Sequence, residues 1–156
     1  MKIIGTPPIP LFWFAVGKVS IVVCVLFFFG ETFLGKLTYY QSFLLKITGM
    51  ALFIIGGVIS SAGISNLGKS TYMGLPTEET ALKTEGLYRF SRNPIYLGMF
   101  LMCVGSSAYV IHPINILCAF LFIVIHHRII LAEERFLALR FGEAWTDYRH
   151  KVRRYL

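Results

Sequence analysis

Long apolar stretches alternate with short polar segments along most of the chain. A bilayer core of about 30 Å needs about 17–25 helical residues. Four stretches meet or approach that length, at residues 11–29, 43–64, 95–111 and 114–131. Only His112-Pro113 separates the last two, which predicts a tight helical hairpin with Pro113 in the first turn of the fourth helix. The pattern predicts an all-α, polytopic membrane protein with one domain, residues 1–156.

The first of these stretches also resembles the apolar part of a signal peptide. Lys18 interrupts the apolar run, and no convincing small-residue cleavage pattern follows it. We therefore interpret residues 11–29 as a retained membrane span.

The segment after Ala132 follows a different pattern. Apolar and aromatic residues recur there at spacings of three and four, and Arg and Lys fill many of the positions between them. The recurring residues are Leu137, Phe141, Trp145, Tyr148, Val152 and Tyr155. This spacing predicts a basic amphipathic helix, bent at Gly142, that lies on the membrane surface or packs against the hairpin.

Three glycines in the second apolar stretch share one face of the predicted helix. Gly49, Gly56 and Gly63 are seven residues apart, which is close to two helical turns. Small residues on one face allow a neighbouring helix to pack closely. A homodimer through the same face would use the same physics, and the sequence does not distinguish the two.

The composition narrows the class of protein. The 156 residues are 56% hydrophobic and only 15% charged, whereas soluble domains have about 25% charged residues. An ordinary soluble enzyme is therefore excluded. Lys and Arg exceed Asp and Glu by 15 to 8, and they concentrate in the segment 67–93 and the C-terminal tail. The positive-inside rule then places both termini and the middle segment in the cytoplasm. We expect a membrane, and no nucleic acid, as the partner.

Cysteine and histidine positions do not indicate a metal site. Cys24, Cys103 and Cys118 all lie inside apolar stretches, without a CxxC motif, and we interpret them as buried thiols. His126 is seven residues from Glu133, which is not the spacing typical of metal ligands on one helix. No metal is expected.

The first block with candidate chemistry spans residues 82–98. Asn93 suits the N-cap of the third helix, and Pro94 suits its first position. The free N–H groups and the dipole of a helix N-terminus favour an anion. Tyr88 and Tyr96 flank this point. An ordinary capped helix with interfacial tyrosines and positive-inside arginines is the alternative.

The second block lies at the end of the fourth stretch, where Arg128, Glu133 and Glu134 occur together. A cluster of ionisable residues at a membrane edge is a functional hypothesis by default. The hairpin brings the start of the third helix close to the end of the fourth, so Arg92 and Asn93 are predicted to line one pocket with Arg128 and Glu133. The alternative is a solvated start to the amphipathic helix.

Three motifs in the second half of the chain resemble a known family. They are Gly86-x-Tyr88-x-x-x-Arg92-Asn93-Pro94-x-Tyr96-x-Gly98, Glu133-Glu134-x-x-Leu137-x-x-x-Phe141-Gly142 and Tyr148-x-x-x-Val152. In this order they resemble the isoprenylcysteine carboxyl methyltransferase family, a broad group that includes the phospholipid N-methyltransferases. The resemblance extends from about Leu67 to the C-terminus. The family usually has His at the position of Asn93, and an Asn carries no positive charge.

The resemblance implies a cytosol-facing pocket for S-adenosylmethionine, built from about residues 67–98 and 126–154. The residues implied to contact this cofactor are Leu82, Lys83, Tyr88, Asn93, Pro94, Ile95, Tyr96 and Glu133. The residues implied in catalysis are Arg92, Arg128 and Glu134, with Arg128 steering the polar head of the substrate. Arg128 lies one residue further from the glutamates than the family's usual basic residue.

The resulting functional prediction is an S-adenosylmethionine-dependent methyltransferase that acts on a lipid or lipidated acceptor within the bilayer. The methylated group would be a prenylcysteine-type carboxylate or a phospholipid amine. One alternative is an NADPH-dependent membrane reductase of the sterol reductase type, which resembles this stretch through an Asn-Tyr-x-x-Glu pattern. Here Pro94-Ile95 separates Asn93 from Tyr96, and no acid follows Tyr96 at the position that this pattern requires. The other alternative is a non-enzymatic scaffold whose basic tail binds anionic lipid.

Overall fold

The computed structural model describes residues 9–40, 42–67 and 82–156. These residues form four α-helices and one short 3-10 helix, without a β-strand in the described ranges. The elements are α1 (Leu11–Leu34), α2 (Phe43–Leu67), the 3-10 helix (Gly86–Arg89), α3 (Pro94–Tyr109) and α4 (Pro113–Lys151). α1, α2 and α4 are long and apolar enough to cross a membrane, and α3 is a shorter apolar helix. The predicted all-α, polytopic class is confirmed. Residues 68–81 of the predicted cofactor region lie outside the described residues.

α2 and α3 pack closely through glycines on both helices. A Cβ built on Gly49 would lie 2.5 Å from the backbone nitrogen of Tyr109, and one on Gly63 would lie 2.8 Å from the Ile95 side chain. A Cβ on Gly98 would lie 2.5 Å from the Gly56 carbonyl oxygen. The glycine face of α2 is therefore covered by α3 of the same chain. The predicted helix packing is confirmed, and this face is not free for the suggested homodimer.

This packing predicts different effects for two neighbouring substitutions in α2. A Cβ on Gly56 would lie 2.8 Å from the Met102 backbone nitrogen, whereas a Cβ on Gly57 meets nothing within 4 Å. Gly56→Ala should destabilise the protein by about 1–3 kcal/mol, because backbone atoms must move apart. Gly57→Ala should be neutral or stabilising by up to about 1 kcal/mol, because alanine favours a helix. Thermal unfolding in detergent compares the two, and equal midpoints would contradict this packing.

The predicted hairpin between the last two helices is confirmed. Three residues, 110–112, connect α3 to α4. Pro113 occupies the first turn of α4, and the His112 ring nitrogen Nδ1 accepts a hydrogen bond from the Ile114 backbone N–H at 3.2 Å. The buried Asn115 amide donates to the carbonyl oxygens of Ser106 and Val110, both at 3.1 Å. These bonds hold the two helices antiparallel and side by side.

α1 packs against the hairpin, mainly against α4. The Ser106 hydroxyl of α3 donates to the Cys24 carbonyl oxygen of α1 at 2.6 Å. Cys24 and Cys103 are buried and Cys118 is half-buried, all as free thiols. Nearer the start of α1, a Cβ on Gly17 would lie 2.8 Å from Cε1 of His126 on α4. The interpretation of the cysteines as buried thiols is confirmed for Cys24 and Cys103, whereas Cys118 is only half-buried.

α4 extends twenty residues beyond the predicted span of 114–131. The helix continues to Lys151, with one non-helical residue, Gly142, at φ 50° and ψ −117°. The predicted bend at Gly142 is confirmed, because two helical segments meet there at a kink. The separate tail helix therefore begins after Gly142 and not, as predicted, directly after Ala132. Trp145, Tyr148 and Val152 are buried in one cluster with the half-buried Leu82. Of the two predicted positions for this helix, the structure therefore has the packed one.

Candidate functional site

The start of α3 lies at the centre of the candidate site. Asn93 occupies the predicted N-cap position, and its carbonyl oxygen accepts the first helical hydrogen bond, from the Leu97 N–H at 3.0 Å. Its side chain does not cap the helix, contrary to the predicted role. The amide instead donates to Glu134 Oε1 at 3.4 Å and to the Arg154 carbonyl oxygen at 3.3 Å. Asn93 thus joins α3 to α4 and to the end of the chain.

The end of the chain lies across the start of α3, and we call residues 152–155 the C-terminal strap. The Arg92 backbone N–H donates to the Arg153 carbonyl oxygen at 3.0 Å. The buried Ser91 hydroxyl donates to the Arg154 carbonyl oxygen at 3.2 Å. The Tyr155 hydroxyl lies 2.7 Å from Nδ1 of His127 on α4. The strap is therefore fixed by bonds to two separate parts of the hairpin.

Glu134 is held in an ion-pair cluster on the strap side of α4. Arg92 donates through Nε at 3.2 Å and Nη2 at 3.1 Å to Oε1. Arg154 donates through Nε at 3.1 Å and Nη2 at 2.8 Å to Oε2. Both carboxylate oxygens of Glu134 are therefore engaged by cations. The hydrogen bonds that Arg154 donates to Glu134 raise the pKa of Arg154 above its usual value, so Arg154 stays charged at alkaline pH.

Arg92 has contacts in addition to its ion pair. Its Nη1 donates to the carbonyl oxygens of Arg149 and Val152, both at 3.1 Å, and these are free acceptors where α4 ends. Its guanidinium lies 5.6 Å from the centre of the Trp145 ring. Four of its interactions thus fix α4 and the strap to α3. The predicted catalytic role of Arg92 and Glu134 stays a prediction.

Glu133 has a different environment from its neighbour. Its Oε1 accepts a hydrogen bond of 3.0 Å from the Tyr96 hydroxyl on α3. Its Oε2 makes no hydrogen bond to the described part of the chain. Successive helix residues point about 100° apart, so the two carboxylates project from α4 in different directions. Glu133 is therefore the acid with acceptor capacity left for a ligand.

The other predicted cofactor residues lie around this pair with differing exposure. Tyr88 is 8% exposed, and its carbonyl oxygen accepts a hydrogen bond of 2.7 Å from the Tyr148 hydroxyl. Burial raises the pKa of Tyr88 to about 12, so its hydroxyl is neutral at physiological pH. The Ile95 carbonyl oxygen accepts from Ser60 of α2 at 2.8 Å. Pro94 is buried, Leu82 packs on the Trp145 cluster, and Lys83 is exposed.

The structure does not bring Arg128 into this cluster. Arg128 is exposed, with no hydrogen bond or ion pair to the described residues. Positions five apart on an α-helix point about 140° apart, so Arg128 cannot share a face with Glu133. Of the residues predicted to line one pocket, Arg92 and Asn93 bond to Glu134 rather than to Glu133, and Arg128 bonds to neither acid. Its role in steering a substrate stays a prediction.

The contribution of the strap was not predicted from the sequence. Arg154 was one of many positive charges of the tail, and His127 had no predicted role. Three closely spaced basic residues at the end of an amphipathic pattern give no indication of which one pairs with Glu134. The available indication was Val152 with Tyr155, which continue the apolar spacing beyond the last helical residue.

Comparison with known proteins agrees with the motifs at this site. The family model described as "Phospholipid methyltransferase" matches residues 44–144. Protein-S-isoprenylcysteine O-methyltransferase A of Arabidopsis thaliana is 31% identical over 111 residues, which are 67% of this chain and 55% of that protein. Protein-S-isoprenylcysteine O-methyltransferase of Saccharomyces cerevisiae is 27% identical over 114 residues, which are 70% of this chain and 47% of that protein.

The chain spans about half the length of the curated relatives it matches. No solved structure matches it. The family match covers α2, the 3-10 helix, α3 and most of α4, and it includes Tyr96, Glu133 and Glu134. Because that match extends over more than half of the residues, the chain belongs to the phospholipid methyltransferase family.

Proposed function

We propose that this protein transfers a methyl group from S-adenosylmethionine to a lipophilic acceptor held in the bilayer. The observation that carries the proposal is the Tyr96–Glu133 pair, which joins α3 to α4 beside the N-terminus of α3. The family match supports methyl transfer. The names of the relatives support a prenylcysteine-type acceptor, and the name of the family supports a phospholipid amine.

The residues at the site fit the polar groups of this cofactor. Glu133 Oε2 has the capacity to accept hydrogen bonds from ribose hydroxyls or from an amino group. The first turn of an α-helix has N–H groups without intrahelical partners, and its positive dipole end favours a carboxylate. In this role Leu82, Lys83, Tyr88, Asn93, Pro94 and Ile95 would form the surrounding surface. When bound, the cofactor supplies an electrophilic methyl group on a sulfonium.

Methyl transfer is an in-line displacement, and it depends on positioning more than on acid–base chemistry. Tyr96 orients Glu133 through its hydroxyl. Arg92 and Glu134 hold the strap against the start of α3, which excludes water from that side. A carboxylate acceptor needs no base. An amine acceptor must lose a proton, and Glu133 is the group in position to accept it.

The orientation of the chain belongs to the same proposal. Both termini and the site are placed on the cytoplasmic side, because most Lys and Arg residues outside the apolar stretches lie in the middle segment and the tail. S-adenosylmethionine is a cytosolic, charged metabolite, so its pocket must open to that side. Arg128, exposed near the end of the apolar part of α4, is then positioned at the membrane surface.

Titration calorimetry with purified protein in detergent tests the proposal. S-adenosylmethionine should bind with about one site per chain, and NADPH should give no heat above dilution. The control variant is Glu143→Gln. Glu143 is an exposed acid of α4, the helix that carries Glu133, so the variant should bind S-adenosylmethionine with the affinity of the wild type. Absence of S-adenosylmethionine binding to the wild-type protein would contradict the proposed function. Stoichiometric binding of NADPH instead would favour the reductase.

A further inference from the structure

Lys18 places a charged group inside an apolar membrane helix. It is the eighth residue of α1, and it follows Gly17, whose missing side chain lets α1 approach His126 of α4. The Lys18 side chain is half-buried. It lies within a helix that is long and apolar enough to cross a bilayer. An intramembrane cation is costly and marks a functional position by default.

Lys18 has no anionic partner in the described part of the chain. Its ammonium lies 5.3 Å from the centre of the Phe14 ring, which is a weak cation–π contact. The carboxylates that form ion pairs among the described residues are Glu31 and Glu134, and their partners are Lys46, Arg92 and Arg154. The charge of Glu133 acts on Lys18 from a distance without forming an ion pair. The Lys18 ammonium can therefore still donate hydrogen bonds to a bound anion.

One ring nitrogen of the neighbouring His126 also has no partner in the described part of the chain. The ring is fully buried, and Nδ1 lies 3.0 Å from the Phe122 carbonyl oxygen. A carbonyl oxygen only accepts, so Nδ1 carries the hydrogen, and Nε2 of the neutral ring is the acceptor. Nε2 is buried and has no hydrogen-bond partner among the residues that the structure describes. Buried polar atoms are normally paired, so this is a second polar group whose partner is missing at the same level of the bundle.

His126 lies on the same helix as Glu133 of the candidate site, closer to the N-terminus of α4. His126 and Glu133 are seven residues apart on α4, which places them on one face and about 10 Å apart along the axis. Tyr96 connects them, because its ring centre lies 5.8 Å from that of His126 and its hydroxyl bonds to Glu133. Of Lys18 and His126, the half-buried Lys18 is the one accessible from the bilayer, because His126 is fully buried.

We propose that Lys18 binds an anionic group, a phosphate or a carboxylate, of the lipophilic methyl acceptor. The inference rests on the proposed function, and it adds a binding residue from α1, which lies outside the matched residues 44–144. The ammonium forms a charge-assisted hydrogen bond with the anion, and the surrounding apolar side chains strengthen it by excluding water. Lys18 thereby selects acceptors that carry a negative charge close to the methylated group.

Binding of simple anionic lipids tests this role separately from catalysis. The probes are hexadecyl phosphate and palmitate, with hexadecanol as the uncharged control, titrated into protein in maltoside micelles. The wild-type protein should bind at least one anionic probe about tenfold more tightly than the alcohol. The preferred probe identifies the anion, phosphate or carboxylate. Equal binding of all three probes would overturn the proposal.

Variants of Lys18 test whether this residue causes the preference for the anionic probe. Lys18→Met should remove the preference for the anionic probe, whereas Lys18→Arg should retain it. Lys36→Met is the matched control, because Lys36 is an exposed lysine of the α1–α2 connection and should change nothing. If the ammonium only extends to lipid headgroups, Lys18→Met will bind the anionic probe as the wild type does, and the proposal is wrong.

Binding of S-adenosylmethionine distinguishes an error in the role of Lys18 from an error in the proposed function. Lys18→Met should bind S-adenosylmethionine like the wild-type protein, because Lys18 forms no hydrogen bond or ion pair with Tyr96 or Glu133. This measurement also confirms that the variant is folded. Loss of S-adenosylmethionine binding only in Lys18→Met would assign Lys18 to the cofactor instead of the acceptor. Absence of that binding in the wild type would contradict the proposed function alone.

Discussion

Replacing Glu133 by Gln is expected to weaken binding of S-adenosylmethionine by about 10- to 150-fold. The estimate follows from the loss of one charged hydrogen-bond acceptor, which contributes about 1.5–3 kcal/mol. The substitution keeps the size of the side chain, and the Tyr96 hydroxyl still finds an oxygen acceptor. Stability should therefore change little. Titration calorimetry measures the affinity, and thermal unfolding in the same detergent measures the stability.

The contribution of Tyr96 should be smaller and indirect. Tyr96→Phe removes the hydroxyl that orients Glu133 but leaves the carboxylate in place. We expect a weaker affinity for S-adenosylmethionine than in the wild type but a stronger one than in Glu133→Gln. Affinity equal to that of the wild type in both variants would exclude the Tyr96–Glu133 pair from the cofactor site.

Replacing Glu134 by Gln is expected to have the opposite profile. The change leaves the guanidinium groups of Arg92 and Arg154 without their shared anion. Removing one partner of a buried ion pair costs about 3–5 kcal/mol, and partial exposure of Arg154 reduces this to about 2–3 kcal/mol. The midpoint of thermal unfolding should fall clearly below that of Glu133→Gln.

Release of the C-terminal strap gives a second readout for Glu134→Gln. Trypsin cleaves after Lys and Arg, and several of these residues lie between 149 and 154. In the wild-type protein their backbone is held by bonds to Ser91 and Arg92. The variant should lose its last residues faster than the wild type under limited digestion. Equal digestion rates, together with an unchanged unfolding midpoint, would show that Glu134 does not hold the strap.

The two adjacent glutamates thus separate binding from stability. Glu133→Gln should lower affinity with stability retained, and Glu134→Gln should lower stability first. The reason is their direction from α4, since one carboxylate meets a tyrosine hydroxyl and the other meets two guanidinium groups. The resemblance implied a cofactor role for Glu133 and a catalytic role for Glu134, and it gave no indication of the ion pairs that Glu134 forms with Arg92 and Arg154.

The helices were predictable because a helix that crosses a bilayer needs an apolar stretch of a defined length. The seven-residue spacing of glycines in α2 indicated a close helix contact, and Gly98 and Gly105 of α3 supply the other half of that contact. The hairpin followed from the short His112-Pro113 connection. These features depend on local patterns, which a single sequence contains.

The ion pairs at the site were not predictable in the same way. Arg92 and Arg154 lie 42 and 20 positions from Glu134 along the chain. By charge alone, several arginines of the tail could form the ion pair with Glu134. Arg154 forms it because of the backbone path after Val152. Arg128 was predicted to line the pocket from its closeness in sequence, but its position on the helix places it on another face.

The most direct test of the central claim is transfer of a labelled methyl group to lipid. Membranes containing the wild-type protein, supplemented with an S-prenylcysteine or with phosphatidylethanolamine, are incubated with methyl-labelled S-adenosylmethionine, and the lipids are extracted and separated. Label should appear in one acceptor class with the wild-type protein and fall to background with Glu133→Gln. Label in neither acceptor, or equal label with wild type and Glu133→Gln, would contradict a methyltransferase centred on Tyr96 and Glu133.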